Sequence, residues 1–212
     1  LNPYMSMVDA TTFEQGNMHL NPEQATKLDF GYNRTKGRCN FFINGNINHT
    51  KDFISQITMI DQSRLITTYV NSSYDLKSGI DLSFRMNPVK WFSLSFAANT
   101  YYTVSEGEFK GAEISNEGLT NNSNIMMDFL LWKGSDIQCQ YFVTTPQYFP
   151  QLTTALTHQM NAGIKQRLFK VPITVSLLVT DVFNTAKWEV SSFNNVFDLT
   201  TLSRNQSRML WL

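Results

Sequence analysis

Apolar and polar residues alternate with a period of two along most of this chain, the pattern of strands with one apolar and one polar face. The longest stretch runs from Trp91 to Val104. Phe92, Leu94, Phe96, Ala98, Tyr102 and Val104 share one face, and Ser93, Ser95, Asn99 and Thr103 share the other. Leu76, Ile80, Leu82, Phe84 and Met86 stand opposite Lys77, Gly79, Asp81, Ser83 and Arg85. Met160, Ala162, Ile164 and Leu168 stand opposite Gln159, Asn161, Gly163, Lys165 and Arg167. Ile173, Val175, Leu177 and Val179 alternate with Thr174, Ser176 and Thr180, with Leu178 out of step. The same alternation is weaker around Leu28, Phe30 and Tyr32, around Cys39, Phe41, Ile43 and Ile47, and around Ile137, Cys139, Tyr141 and Val143. It predicts about ten strands of roughly 9–14 residues, longer than most strands of globular sheets. No segment carries the periodicity of an amphipathic helix.

The connectors alternate in kind. Short ones hold turn chemistry: Arg34–Arg38 around Gly37, Asn87-Pro88, Lys133-Gly134-Ser135 and Lys170-Val171-Pro172. Long polar ones are Gly107–Ser123, Thr145–Thr157 and Thr185–Asp198. This order predicts an all-β, antiparallel up-and-down meander with one rim built up. The chain reads as one unit, residues 1–23 as an external loop and 24–212 as strands and loops.

Alternation fits a soluble sandwich as well as a membrane barrel, because only the side facing water changes. Strand length favours the barrel, since about 9–11 tilted residues cross a bilayer core. The polar face uses Asn, Ser, Thr, Gln and Gly more than charge, which suits a wet or plugged lumen. Aromatics gather near strand ends, as in membrane girdles: Tyr101 and Tyr102, Trp91 and Phe92, Trp132, Tyr148 and Phe149, Trp211. Composition agrees. Of 212 residues only 16% are charged and 13% are aromatic, and 17 Lys+Arg balance 17 Asp+Glu. This excludes a disordered chain and a broad basic nucleic-acid face. No apolar run of about 18 residues offers a membrane helix.

Chemistry is sparse. His19, His49 and His158 are scattered, in no metal-binding spacing. Cys39 and Cys139 form no CxxC and read as small apolar strand residues, with pairing left open. Nucleophile-elbow, phosphate-loop and dinucleotide motifs are absent. Asp9 with His19, or Asp61 with His49, are the pairs a barrel enzyme would need, and nothing in their context supports them. No enzyme activity and no cofactor is expected. The charges placed on the polar face are the candidate lumen-facing set, Lys77, Asp81, Arg85, Lys165 and Arg167, with Lys27, Asp29, Arg204 and Arg208 beside them. The simpler reading of each is a wall that is polar because it is wet.

The opening segment LNPYMSMVDATTFEQGNMHLNPEQATKLDFGY resembles the LNP…D…GNP-x-L-x-PE…LELGY stretch of TonB-dependent outer-membrane receptors. The likeness is nearest to the outer membrane protein beta-barrel group common in Bacteroidetes. The matching positions are Leu1, Asn2, Pro3, Asp9, Gly16, Asn17, Leu20, Pro22 and Glu23; Met18 stands where the pattern has Pro. Asp181, Val182, Phe183, Asn184 and Thr185 are similar to the DVFNT of that group, and Asn87–Leu94 resembles its P-x-K-W-x-S-L turn. The resemblance implies part of a larger transmembrane barrel in the Gram-negative outer membrane. It implies as partners the membrane lipid, the remaining barrel strands and a plug, with TonB reached only through that plug, which is absent here. The nutrient ligand stays unnamed, and no nucleic acid is expected. A terminal aromatic is also expected and is not found at Leu212, which reads as a fragment. The alternatives are a small self-closed barrel acting as a passive pore or adhesin, and a soluble β-sandwich binding module.

Overall fold

The computed structural model describes residues 4–61, 64–109, 112–132, 134–168, 172–193, 198–204 and 206–212. Leu1, Asn2, Pro3, Lys133, Lys170 and Val171, all named above, lie outside them. The described residues form seventeen strands and no helix. In chain order these are β1 (Met5–Met7), β2 (Thr12–Gln15), β3 (Gln24–Lys36), β4 (Cys39–Lys51), β5 (Ile54–Asp61) and β6 (Arg64–Asn71). Then come β7 (Tyr74–Val89), β8 (Phe92–Phe109), β9 (Ala112–Trp132), β10 (Ser135–Thr144), β11 (Tyr148–Phe149) and β12 (Leu152–Thr154). The last are β13 (Thr157–Leu168), β14 (Ile173–Thr180), β15 (Trp188–Phe193), β16 (Asp198–Ser203) and β17 (Met209–Trp211).

Nine of them make one antiparallel sheet in the order β17-β14-β13-β10-β9-β8-β7-β4-β3. Each strand pairs with its neighbour in the meander, which is the predicted topology. Two smaller sheets, β1-β2-β6-β5 and β11-β12-β15-β16, are built from the connectors at one end. At the other end the turns are tight, and Gly37 (φ 58°) and Gly134 (φ 75°) supply the left-handed backbone that two of them need.

The register carries the alternation across the sheet. Tyr32, Ile43, Leu82 and Ala98 are successive partners, as are Phe41, Phe84, Phe96, Ile125, Tyr141 and Met160. One continuous apolar face results. It is uncovered: Phe30 is 82% exposed and Leu119 59%. Among the described residues the buried hydrophobic ones are Ile57, Ile66 and Ile114, and all three lie at the built-up rim. A soluble sandwich would bury its apolar face against a second sheet. Here the rim sheets lie on the polar side instead.

Two expectations are corrected. Gly107–Ser123 is not a long loop. β8 and β9 continue through it with unbroken pairing, Glu106 opposite Ser115 and Val104 opposite Glu117. The alternation is lost toward the tip of the hairpin because that end stands beyond the apolar band, where neither face must be apolar. Residues 1–23 are likewise not all loop. β1 pairs with β2, and β2 pairs in parallel with β6, the one departure from antiparallel pairing among the described residues. The hairpin β5–β6 was not predicted at all, and the nine long-sheet strands are joined by rim strands that raise the total well above ten.

Candidate functional site

The polar face is a wall of side-chain amides and hydroxyls around one central carboxylate. Row by row, Gly31, Asn44, Asp81, Asn99, Asn122, Thr144 and Thr157 are successive cross-strand partners. Asn46 donates to Asp81 Oδ2 at 2.9 Å, Asn44 donates to the same oxygen at 3.2 Å, and Asn99 donates to Oδ1. Asn44 also donates to Asp29, which pairs with Lys27 at 3.5 Å. Lower on the wall, Ser93 and Gln138 donate to Asp128, Gln140 to Asn124, and Gln159 to Asn161. A cavity of about 710 Å³ lies near the short turns, lined among others by Trp91, Asp128, Gln138, Lys165 and Leu178.

The five candidate charges all fall on this wall by register, but they do not come together. Lys77 pairs with buried Asp75 at 3.0 Å, and its ammonium lies 5.6 Å from the Phe53 ring centre. Asp81 is the amide-held carboxylate. Arg85 stands between Asn40 and Ser95, Lys165 between Asp136 and Ser176, and Arg167 opposite Thr174.

Above the wall the rim folds inward. A methyl added at Gly118, on the polar side, would meet the Tyr148 ring at 2.3 Å, so Tyr148 lies flat over that glycine. Thr120 donates to Pro146 O at 2.8 Å, and Asn116 donates to Phe149 O at 2.9 Å and Thr153 Oγ1 at 3.0 Å. The β5–β6 hairpin reaches in beside it. Thr58 N donates to Gln151 Oε1 at 2.7 Å, and Gln151 O accepts from Phe193 N at 3.0 Å. Ile57, Ile66 and Ile114 are buried within this cap. It is the part of the molecule that packs like an ordinary globular core.

The motif residues hold the rim in place. Asn17 donates to Tyr69 O at 2.9 Å and accepts from His19 N at 2.8 Å, while Glu23 accepts from Ile54 N at 2.7 Å. Gly16 and Leu20 are half-buried and Pro22 is exposed in the same connection. At the other end of the chain, Asp181 is fully buried and takes a left-handed φ of 45°, with Asn184 at 55°. Its carboxylate accepts from Thr185 N at 2.9 Å, Ala186 N at 3.0 Å and the Ser207 hydroxyl. Its own N–H donates to Asn161 at 3.0 Å, and Val182 N donates to Met160 O at 2.8 Å. Burial pushes the Asp181 carboxyl up, and the bonds from Ser207, Thr185 and Ala186 outweigh it, holding the group below the ordinary carboxylate range. Phe183 is exposed beside this turn.

Cys39 and Cys139 are free thiols, on β4 and β10. Among the described residues no group of His, Cys, Asp and Glu is arranged to hold a metal ion. The arrangement is an inward-folded cap over a polar wall, with an apolar face on the opposite side of the sheet.

The sequence profile of the outer membrane protein beta-barrel family matches residues 1–212. This chain belongs to that family. No curated protein and no solved structure matches it. Membership places the protein in the outer membrane and gives the two faces their surroundings. In an outer-membrane barrel the apolar band meets lipid and the interior is polar. Exposed Leu28, Phe30, Ile80 and Leu119 belong to such a band.

Two wall residues were not among the candidates, Phe42 and Phe142. Their signal is in the sequence as doublets that break the alternation, Phe41-Phe42-Ile43 and Tyr141-Phe142-Val143. The register puts both on the polar face, with Asn33 and Ser83 flanking Phe42, and Asn124 and Gln159 flanking Phe142.

Proposed function

We propose that this chain is part of the channel wall and external binding rim of a TonB-dependent transporter that takes up a nutrient across the outer membrane. The observation that carries the reading is the inward-folded cap. A solute arriving from outside meets β5–β6 and β11–β12 before it meets the wall, as a receptor that binds before it conducts requires. The residues behind the resemblance to such receptors, Asn17, Glu23 and Asp181, are among those that hydrogen-bond the rim into this shape. The strand order adds a second support. β3 and β17 stand at opposite edges of the sheet. Unpaired edges in lipid cost several kcal/mol per exposed backbone group, so other strands complete the wall. A passive self-closed barrel would instead join β3 to β17. The wall does no covalent chemistry on this reading. By the same resemblance, coupling to TonB belongs to a plug outside these strands, and the strands alone do not transport.

The test is binding of the full-length gene product, purified from outer membranes in detergent, to the isolated C-terminal domain of TonB. Saturable binding that a peptide copied from the product's own TonB-contact segment abolishes is the expected result. A product that carries no plug segment and does not bind that domain overturns the reading and leaves a passive pore.

A further inference from the structure

Leu178 breaks the alternation of its strand, and the register puts it on the polar wall. Ser93, Asp128, Gln138, Gly163 and Leu178 are successive partners across five strands. A methyl added at Gly163 would meet Leu178 Cδ1 at 3.4 Å, so the leucine leans over that glycine. The next row toward the short turns holds Leu130, Asp136, Lys165 and Ser176. Leu130 N donates to Trp91 O at 2.7 Å, which ties Trp91 to the same row. Trp91, Leu130 and Leu178 all line the cavity of about 710 Å³ near the short turns. They are 55%, 51% and 41% exposed, so the wall carries open apolar surface on the side that otherwise shows amides and hydroxyls.

Apolar and aromatic side chains grouped in a hollow, with charge around them, are the make-up of a protein contact. The charges here are Arg38, Lys90, Lys165, Asp128 and Asp136. Asp128 is already held by Ser93 and Gln138. None of the three cations has an ion-pair partner among the described residues. With three cations against two carboxylates, the matching surface carries an apolar side chain beside a carboxylate. Position selects the partner. The cavity is on the inner side of the sheet, at the end away from the cap. What covers it lies inside the barrel, and a solute from outside meets the cap and the amide rows first.

We propose that this patch is the seat of the plug: an apolar plug side chain packs among Trp91, Leu130 and Leu178, and a neighbouring plug carboxylate meets Arg38, Lys90 and Lys165. The proposal deepens the transporter reading and rests on it, since that reading supplies the plug. It also divides the wall into two zones. Around Asp81 the plug meets amide rows, where each hydrogen bond lost is exchanged for one to water at little net cost. The seat has no such exchange, because its apolar surface returns to water when the plug leaves. The plug is therefore held most firmly at the tight-turn end.

The test uses the full-length protein purified from outer membranes in detergent. A photoreactive benzoyl-phenylalanine replaces Leu178 in one variant and Leu130 in another, and cross-linked peptides are identified by mass spectrometry after illumination. Cross-links to a plug peptide of the same polypeptide are expected from both positions, and none from the same probe at Ile80 on the outward face. Hydrogen exchange of that plug peptide then reads the hold. Leu178→Asp and Leu130→Asp raise its rate about tenfold. Leu178→Met and Asn122→Ala leave it near the parent, and the heat-dependent gel mobility of the folded barrel stays unchanged in all four. Cross-links that reach only wall peptides, or only a separate protein, overturn the proposal. So does plug exchange that ignores both aspartate variants, or an Asn122→Ala effect as large as theirs. TonB binding without plug cross-links sinks the seat alone. A product that carries no plug and does not bind TonB sinks the transporter reading and the seat with it.

Discussion

At the residue scale, single side chains decide which loops stay on the wall. Asp181 is the clearest case. It is a carboxylate with no exposed surface, in a left-handed turn, joining the end of β14 to Thr185, Ala186 and Ser207. Asp181→Asn keeps the shape but turns one acceptor into a donor facing backbone N–H groups. Leaving such buried groups unsatisfied costs about 1–3 kcal/mol. The expected outcome is faster amide exchange across residues 182–208 with the rest of the sheet unaffected. The pH dependence has a definite sign. A carboxyl held below its ordinary range stabilises the fold at neutral pH, and that contribution is lost as the pH falls through and below the range where an unfolded Asp protonates. Exchange in the same segment should therefore rise on acidification in the parent and stay flat in the Asn variant. Asp181 was picked out by resemblance, and its neighbours in the motif were legible with it. Its partner Ser207 was not, because the pairing depends on where the chain returns after β15 and β16.

At the scale of elements, each strand of the long sheet was legible because its two faces meet different solvents, and a period of two records that contrast. The rim strands were not. β5, β6, β11, β12, β15 and β16 sit where water and protein meet on both sides, so no face must be uniformly apolar. Their positions come from contacts instead. Tyr148 over Gly118 is one such contact. Gly118→Ala puts a methyl where the ring lies, and the ring and β11 must lift. The expected effect is selective proteolytic cutting within residues 145–156 at an unchanged barrel mobility. Uncut rim in that variant would mean that the Asn116 and Thr120 hydrogen bonds hold the cap alone.

For the whole molecule, the inverted distribution of apolar surface is the governing fact. A sheet of nine strands with its apolar face bare, and with the buried hydrophobic residues among those described lying in the rim, is stable when lipid covers that face. Ile80→Arg puts a charge on the lipid side and costs about 2–4 kcal/mol near the bilayer middle. Ser83→Arg, three residues away on the wall, meets water and costs little. Folding of the full-length protein into phospholipid vesicles should fail or slow for Ile80→Arg and proceed for Ser83→Arg. Equal folding of both variants would remove the lipid from the account.

The sequence by itself determined the class of fold, the order of the long strands, the two faces of each, the end that carries the tight turns, and the kinship with outer-membrane barrels. These follow from local spacing, which each strand displays without knowing its neighbours. Only the tertiary structure decided the register. Register is what gathered Asn44, Asn46 and Asn99 onto Asp81, set Phe42 and Phe142 in one row across five strands, and laid the rim over the polar wall. A side chain's partners on a sheet lie tens of residues away along the chain, and the slip of a single residue would send each to the other face. No local pattern states which residue stands opposite, so the wall could be foreseen as polar, and its pairings could not.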